Sequence, residues 1–474
     1  MAGGLVDELR GALGNGGVHD GGHDRALYGR DASTFTGGSA SVVCFPISTE
    51  EVQACVRAAR RHGVPFVARG SGTGLAGGAV PLDEAVVIVT TRMDRILSID
   101  PEARVAWVEP GVLNLDLSRA VAPLGLRFAP DPSSQQACSI GGNVANNSGG
   151  PHCLSEGVTT AHVLALEVVL PDGEVVMLGG LDPEPCGLDL RGAFVGSEGT
   201  CGIATRIAVR LVPTPPVVAT LLVDFTSLAA AGEAVSSVIA HGVVPAAMEM
   251  ITGRMIGAVE AYVGAGFPVD ADALLLVEVE GLEAGVAAAV DVVERVCRST
   301  GARMVRVAAD DAERALWWKG RKSAFGAVAR IAPNYYLHDT VVPRSRLVGV
   351  LAEVERIAAA HDLVVCNVFH AGDGNLHPLL VFDAREPGVL DRVHAAGEEI
   401  VRASLAAGGV LSGEHGIGLE KREFMAWQFD DVDLAAQAWL RRAFDPDGVA
   451  NPHKVLPLGA GCGDLQSLPE GVWV

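Results

Sequence analysis

Three glycine-rich segments do most to limit how this chain can fold. Residues 68–78 read ARGSGTGLAGG, residues 130–150 read PDPSSQQACSIGGNVANNSGG, and residues 196–202 read GSEGTCG. Glycine tolerates positive φ, so such loops can turn many backbone N–H groups toward one point, which suits a pyrophosphate. The first segment follows a strand pattern at Pro65–Arg69 but opens no helix with G-x-G-x-x-G spacing, which argues against a Rossmann-type site. Taken singly it reads equally well as a structural turn. The second gathers Ser133, Ser134, Ser139, Gly141, Gly142, Asn143, Asn146 and Ser148, a supply of hydrogen bonds without charge. The third precedes the apolar run from Ile203 to Leu211 and can present backbone groups to a planar heterocycle.

The elements around these loops mix helices and strands, which predicts an α+β domain. Ser48 and Glu51 form a capping-box pattern, Val52, Cys55, Val56 and Ala59 share one apolar face, and Gly63 closes a helix predicted over 48–62. Strand patterns recur at Ala85–Thr90, Val105–Glu109, Val163–Leu170 and Glu174–Leu178. Residues 1–37 are glycine-rich with a short helical start near Leu5–Leu13, and read as a loosely packed lead-in. Pro213, Pro215 and Pro216 mark a boundary near residue 216. Beyond it, strands at Ala219–Phe225, Ala273–Glu280 and Arg303–Val307 alternate with long helices, which predicts a small sheet covered on one face. The tail after Pro457 reads as irregular.

Composition narrows the function. Lys plus Arg total 36 against 57 Asp plus Glu, and the net charge of −21 repels nucleic acid and anionic membranes, so neither is expected as a partner. The same field opposes an anionic substrate, so a carboxylate site would need its own cation or metal. The nine cysteines are scattered without C-x-x-C, which argues against an iron–sulfur cluster, and no secretory pattern opens the chain. A reducing cytoplasm fits. Apolar stretches are broken by Glu167, Pro171 and Glu278, far short of the roughly 20 residues of a membrane span.

The sharpest local signal is VVCNVFHAGDGNLHPLLVF, residues 364–382. Two apolar runs flank Asp373-Gly374, which predicts a two-residue hairpin turn pairing Gly372 with Asn375, Ala371 with Leu376 and His370 with His377. Facing positions lie about 4.5–5.5 Å apart at Cβ, close enough for two imidazoles to share a metal. Two half-buried histidines bonded to backbone carbonyls would give the same pattern. A second segment, LSGEHGIG at 411–418, sets Glu414 beside His415 in a glycine-rich bend after a helix predicted at Glu398–Ala407. Glu414 offers a third metal ligand and His415 a proton acceptor, although helix capping would also place such a pair there.

The three glycine-rich segments, in this order, resemble the FAD-binding domain of the vanillyl-alcohol oxidase superfamily over about 38–216. Together with HDTVVPRSRL from His338 and FDPDGVANPHKVLP from Phe444, the histidine segments look like the flavin subunit of bacterial glycolate oxidase and its D-lactate and D-2-hydroxyglutarate dehydrogenase relatives, over about 38–457. The resemblance implies an α+β fold in which a two-subdomain, PCMH-type FAD-binding domain at 38–216 is joined by a ferredoxin-like α+β cap at 217–410. A C-terminal segment, 411–457, would return to the flavin, with 1–37 as lead-in and 458–474 as tail. It assigns the pyrophosphate loop to Arg69, Gly70, Ser71, Gly72, Thr73, Gly74 and Leu75, and further flavin contacts to Pro130, Asp131, Ser133, Ser134, Ser139, Gly141, Gly142, Asn143 and Asn146. Glu198, Gly202 and Ile203 fall near the adenine, and Asn451 near the flavin. Because the first loop carries Ser71 and Thr73 and no histidine, non-covalent FAD is expected.

The resemblance further implies a divalent metal, zinc, iron or manganese, on His370, His377 and Glu414, with His415 as general base and Arg321 binding the substrate carboxylate. Relatives acting on 2-hydroxyglutarate carry a lysine shortly before the position of Asp339, whereas here Tyr335, Tyr336, Leu337 and His338 stand there. A small D-2-hydroxy acid such as glycolate or D-lactate is therefore favoured over D-2-hydroxyglutarate, although Lys319 or Lys322 offers a substitute cation. An electron-transfer partner subunit, a homodimer, and a cytoplasmic location reaching to the inner membrane face are compatible with this reading. Two other classes share the pattern: alkyl-dihydroxyacetonephosphate synthases, which use FAD without net oxidation, and a non-catalytic flavoprotein scaffold.

Overall fold

The capping box forms with its return bond one residue early, on Ile47 rather than Ser48. The Ser48 hydroxyl accepts from the Glu51 N–H at 3.3 Å, while the Glu51 carboxylate reaches back to the Ile47 N–H at 2.9 Å. The resulting helix, Thr49–Arg61, buries Val52, Cys55, Val56 and Ala59. It belongs to a computed structural model that describes residues 2–35, 38–82, 84–182 and 187–458. The chain divides into two units: residues 1–149, 158–214 and 414 onward form the first, and residues 150–157 with 215–413 form the second.

In the first unit, strand Ala85–Val89 runs parallel to Ala40–Cys44 on one side and to Phe66–Arg69 on the other. The N-terminal residues correct the expectation of a loose lead-in. Leu5 and Leu9, four apart on helix Ala2–Leu13, are 3% and 0% exposed and join Val52 and Val56 in one apolar cluster. Strand Val18–His19 then pairs with Cys44 and Val43. Two leucines on one face were enough to dock a helix that its glycines made unremarkable in sequence. The other half of this unit is an antiparallel sheet, in the order Ile96–Asp100, Val105–Val108, Ile203–Arg210, Val163–Val169 and Val175–Gly179. The C-terminal segment returns to the first sheet: the Phe66 N–H donates to the Val449 carbonyl at 3.0 Å, and the Asn451 N–H to the Phe66 carbonyl at 2.8 Å.

The second unit is built on one antiparallel sheet of nine strands, larger than the small sheet its spacing predicts. Its centre runs Val217–Phe225, Ala273–Gly281, Ala247–Thr252 and Val364–His370. Period-2 alternation separates two faces. Leu221, Val223, Phe225, Leu275, Val277, Met248, Met250 and Phe369 share an apolar core with residues of the helices Leu228–Ala240, Glu283–Ser299, Leu347–Ala360 and Val389–Ala406. The intervening positions, among them Thr220, Glu249, Glu278 and His370, fall on the opposite face. That face carries buried polar side chains. The segment 150–157 also belongs to this unit, an excursion its short helix Cys153–Glu156 gave no periodicity to announce.

Among the described residues no helix is long and apolar enough to cross a membrane. The tail expected beyond Pro457 lies, from residue 459, outside the described residues, as do Cys186 and Cys462.

Candidate functional site

The first unit brings its three glycine-rich segments together. Ser139 caps helix Ile140–Asn146, its hydroxyl accepting from the Gly142 N–H at 3.2 Å. Gly70 approaches so closely that a Cβ there would stand 2.4 Å from that hydroxyl, so any side chain at 70 would drive the first loop from the second. Asn114, buried, donates to the Pro130 carbonyl and to Asn143 Oδ1, both at 2.9 Å, which fixes the start and middle of the second segment. Among the described residues no backbone N–H from Ser71 to Leu75 donates to a protein acceptor. A loop of half-buried amides without protein acceptors fits an anionic diphosphate.

Asn451 ties the segments further. Its side-chain amide donates to the Gly78 carbonyl at 2.8 Å and the Glu198 carbonyl at 2.7 Å, linking the first and third segments to the C-terminal return. Lys454, fully buried, donates to the Val80 carbonyl at 2.7 Å and to Asn451 Oδ1 at 3.2 Å. Burial pulls its ammonium pKa down to about 7. The Glu198 carboxylate accepts the Ile417 and Gly418 N–H groups at 2.7 and 2.8 Å. Burial raises its pKa to about 6 against the lowering effect of those amides. Glu198 thus holds the glycine-rich bend after His415 in place. Asn146 completes the attachment, donating to the His415 carbonyl at 2.9 Å. The Glu414 carboxylate lies 3.8 Å from His415 Nε2. Gly202 borders Val169, and the Ile203 side chain is buried in the apolar core.

In the second unit the predicted hairpin register is wrong by two residues. His370 pairs with Asn375, and Asn367 with Pro378, so the same register sets His377 opposite Val368. A two-residue type I′ turn needs two residues at positive φ, and here Gly374 at +74° is the one such residue of the connection. The chain instead makes a four-residue link closed by the Gly374 N–H on the Ala371 carbonyl at 3.3 Å. A slip of two keeps every side chain on its face. His370 and His377 therefore remain diagonal neighbours, with ring centroids 5.1 Å apart and planes at 85°.

A carboxylate that the sequence reading did not single out organises this pair. Glu249, 0% exposed, stands directly opposite His370 across the sheet, and its Oε1 lies 2.7 Å from His370 Nδ1. Its other oxygen pairs with Arg321, 1% exposed, at 2.5 Å. Burial pushes the Glu249 pKa up, but Arg321 and His370 outweigh it and hold the carboxyl below its usual range. An ionised carboxylate only accepts, so His370 presents Nδ1–H to it, and the neutral ring would turn a lone pair outward on Nε2. Histidines that bind metals are oriented in this way by a carboxylate on the second nitrogen. His377 Nδ1 lies 3.9 Å from Asp339 Oδ1, and Asp339 in turn accepts from the Ser412 hydroxyl at 2.6 Å and the Gly413 N–H at 3.1 Å. Two buried imidazoles, one of them held by a buried carboxylate, are a donor set that fits a divalent cation.

Arg321 is anchored rather than free, yet its Nε, buried, has no hydrogen-bond partner among the described residues. Lys319 and Lys322, on the same helix Asp311–Lys322, are exposed. Tyr335, Tyr336 and Leu337 form a strand with Asn334 that pairs with Pro378–Phe382, and His338 is buried. Glu249 escaped the sequence reading because its partners lie far off in the chain, 121 residues in the case of His370. The one available signal was an acidic residue at the centre of the apolar strand AMEMIT.

Comparison with known proteins places the chain in a family. Residues 214–455 match the model of the FAD linked oxidases, C-terminal domain, and residues 40–179 that of an FAD binding domain. The glycolate oxidase subunit GlcD of Escherichia coli (strain K12) is 47% identical over 427 residues, 90% of this chain and 86% of that one. A D-lactate dehydrogenase of Anaerostipes hadrus is 31% identical over 450 residues, 91% and 92% of the two chains. Among solved structures, p-cresol methylhydroxylase with substrate bound superposes with a TM-score of 0.82 at 18% identity, covering 96% of this chain and 97% of that one, a likeness of fold alone.

Proposed function

Since this chain belongs to the FAD-linked oxidases, we propose that it oxidises a small 2-hydroxy acid, glycolate or D-lactate, to the 2-oxo acid, with non-covalent FAD and a divalent metal of the zinc, iron or manganese class. The observation that carries the reading is the Glu249 carboxylate, which holds Arg321 and His370 at its two oxygens. A cation for a carboxylate and an oriented imidazole lone pair are thereby placed on one sheet face.

When bound, the flavin supplies a hydride acceptor, and the metal lowers the pKa of a hydroxyl it polarises. The protein's own contributions follow from its side chains. Arg321 receives the substrate carboxylate through the part of its guanidinium that Glu249 leaves unpaired, which fixes the acid's orientation and offsets the net charge of −21. His370 and His377 hold the metal, and Glu249 keeps the His370 ring oriented. We assign Glu414 as the third ligand and His415 as the base that takes the hydroxyl proton, on their sequence context. Arg69–Leu75, Ser139–Asn146 and the Glu198–Ile203 stretch hold the FAD, with Asn451 keeping the loops together. The absence of lysine from 335–338 and the exposure of Lys319 and Lys322 favour a monocarboxylate. A separate electron-transfer subunit fits the name of the glycolate oxidase relative, which is a subunit.

The test is anaerobic mixing of FAD- and metal-loaded protein with glycolate, D-lactate, L-lactate or D-2-hydroxyglutarate, following flavin bleaching. Bleaching by glycolate or D-lactate, abolished in His415→Ala, is the expected result. No bleaching by any of the acids would remove the assignment.

A further inference from the structure

A second acid on the same sheet face has no role in the reading so far. Glu278, which interrupts the apolar strand Ala273–Gly281, is 6% exposed and accepts three hydrogen bonds. Trp318 Nε1 donates at 2.6 Å, the Thr220 hydroxyl at 2.5 Å and His152 Nε2 at 3.2 Å. The His152 ring also stacks on Trp318, with centroids 5.8 Å apart and planes at 29°. His152 comes from the excursion 150–157, so this cluster is one of the points at which that excursion attaches to the second unit. Burial raises the Glu278 pKa, but its donors prevail and hold it below the usual range.

The position of this cluster relative to Glu249 gives it a purpose. Ala247 pairs with Glu278 and Glu249 with Leu276, so the two acids are diagonal neighbours on one face, roughly 7–8 Å apart. Trp318 and Arg321 are three apart on helix Asp311–Lys322 and so share one side of it. The helix is therefore held to the sheet at two adjacent acids, Trp318 on Glu278 and Arg321 on Glu249. Without the first attachment, the Arg321 guanidinium would have to anchor the end of the helix and bind a ligand at once.

We propose that His152, Glu278 and Trp318 form a positioning unit for Arg321, which sets the affinity for the substrate carboxylate by fixing where on the sheet face the guanidinium stands. This rests on the role given to Arg321 above. Contact with a carboxylate that is present before and during the reaction is uniform binding, so its loss raises KM and spares kcat.

The experiment is steady-state kinetics of the FAD- and metal-loaded protein, with the acid that bleaches the wild-type flavin, in a double-mutant cycle. Glu278→Ala should raise KM about 10-fold with kcat changed less than threefold, and Glu278→Gln, which restores an acceptor for Trp318 and Thr220, should recover KM to within about threefold. In an Arg321→Lys background, Glu278→Ala should change KM less than twofold. Should Glu278→Ala fail to fold, Trp318→Phe removes the single N–H, keeps a ring against His152, and should raise KM about three- to fivefold. Equal factors in both backgrounds, or a fall in kcat at unchanged KM, overturn the proposal while leaving the reaction standing. A wild-type protein that turns over none of the acids overturns the reaction and this proposal together.

Discussion

The two units offer groups to a ligand by opposite means. In the first, the glycine-rich loops offer backbone amides, and the ionisable groups among them, Glu198 and Lys454, are spent on the protein's own carbonyls and N–H groups. In the second, one face of a sheet gathers buried ionisable groups, Glu249, Glu278 and His370, with Arg321 reaching them from a helix, each answered by another side chain. Backbone amides cannot be mutated away, so a site made from them tolerates side-chain change where φ and close packing are respected. A buried ionic cluster has no such tolerance, because removing one partner leaves another uncompensated in a medium of low polarity. The lesson is that sensitivity to substitution should differ between the units by more than their ligand contacts alone would suggest.

The largest test of that contrast is His370→Ala, which deletes a ligand and leaves Glu249 facing Arg321 alone. We expect turnover to fall by about 10³ or more with metal content lost and flavin content kept, checked by elemental analysis and flavin absorbance on one sample. Next, Glu249→Gln should weaken metal affinity by about 10- to 100-fold, since it keeps an acceptor but removes the negative charge that makes the His370 ring a stronger donor, and competition with a chelator measures this. Flavin loss in either variant would break the comparison.

A smaller effect probes the first unit through Lys454. Its folded pKa, about 7, lies below its ordinary value of 10.5, so between these limits the unfolded chain binds more protons and stability rises with pH. The gain is about 1.4 kcal/mol per pH unit at most. Thermal unfolding of wild type against Lys454→Met from pH 7 to 9 should show that slope in wild type alone. Parallel curves would mean that the lysine keeps its charge when buried. The smallest effect belongs to Ser139→Ala, which removes one helix cap and should cost about 1 kcal/mol with a modest loss of FAD retention by equilibrium dialysis.

What the sequence determined by itself was local. Ser48 with Glu51 announced a helix start, because caps are satisfied within three residues of the chain. Glycine runs announced loops, and the histidine segment announced a hairpin. The tertiary structure decided everything that depended on distant partners. The turn between His370 and His377 took four residues rather than two, and the sheet absorbed that slip because a shift of two preserves the face. Leu5 and Leu9 became core because helix Thr49–Arg61 was there to receive them. Glu249 and Glu278 looked like interruptions in apolar strands, and a carboxylate in such a strand has no meaning until the fold supplies what answers it. His370 answers the first from 121 residues away and His152 answers the second from 126. A buried charge requires a partner, and only the pairing of strands and the docking of one helix determine which residue that partner is.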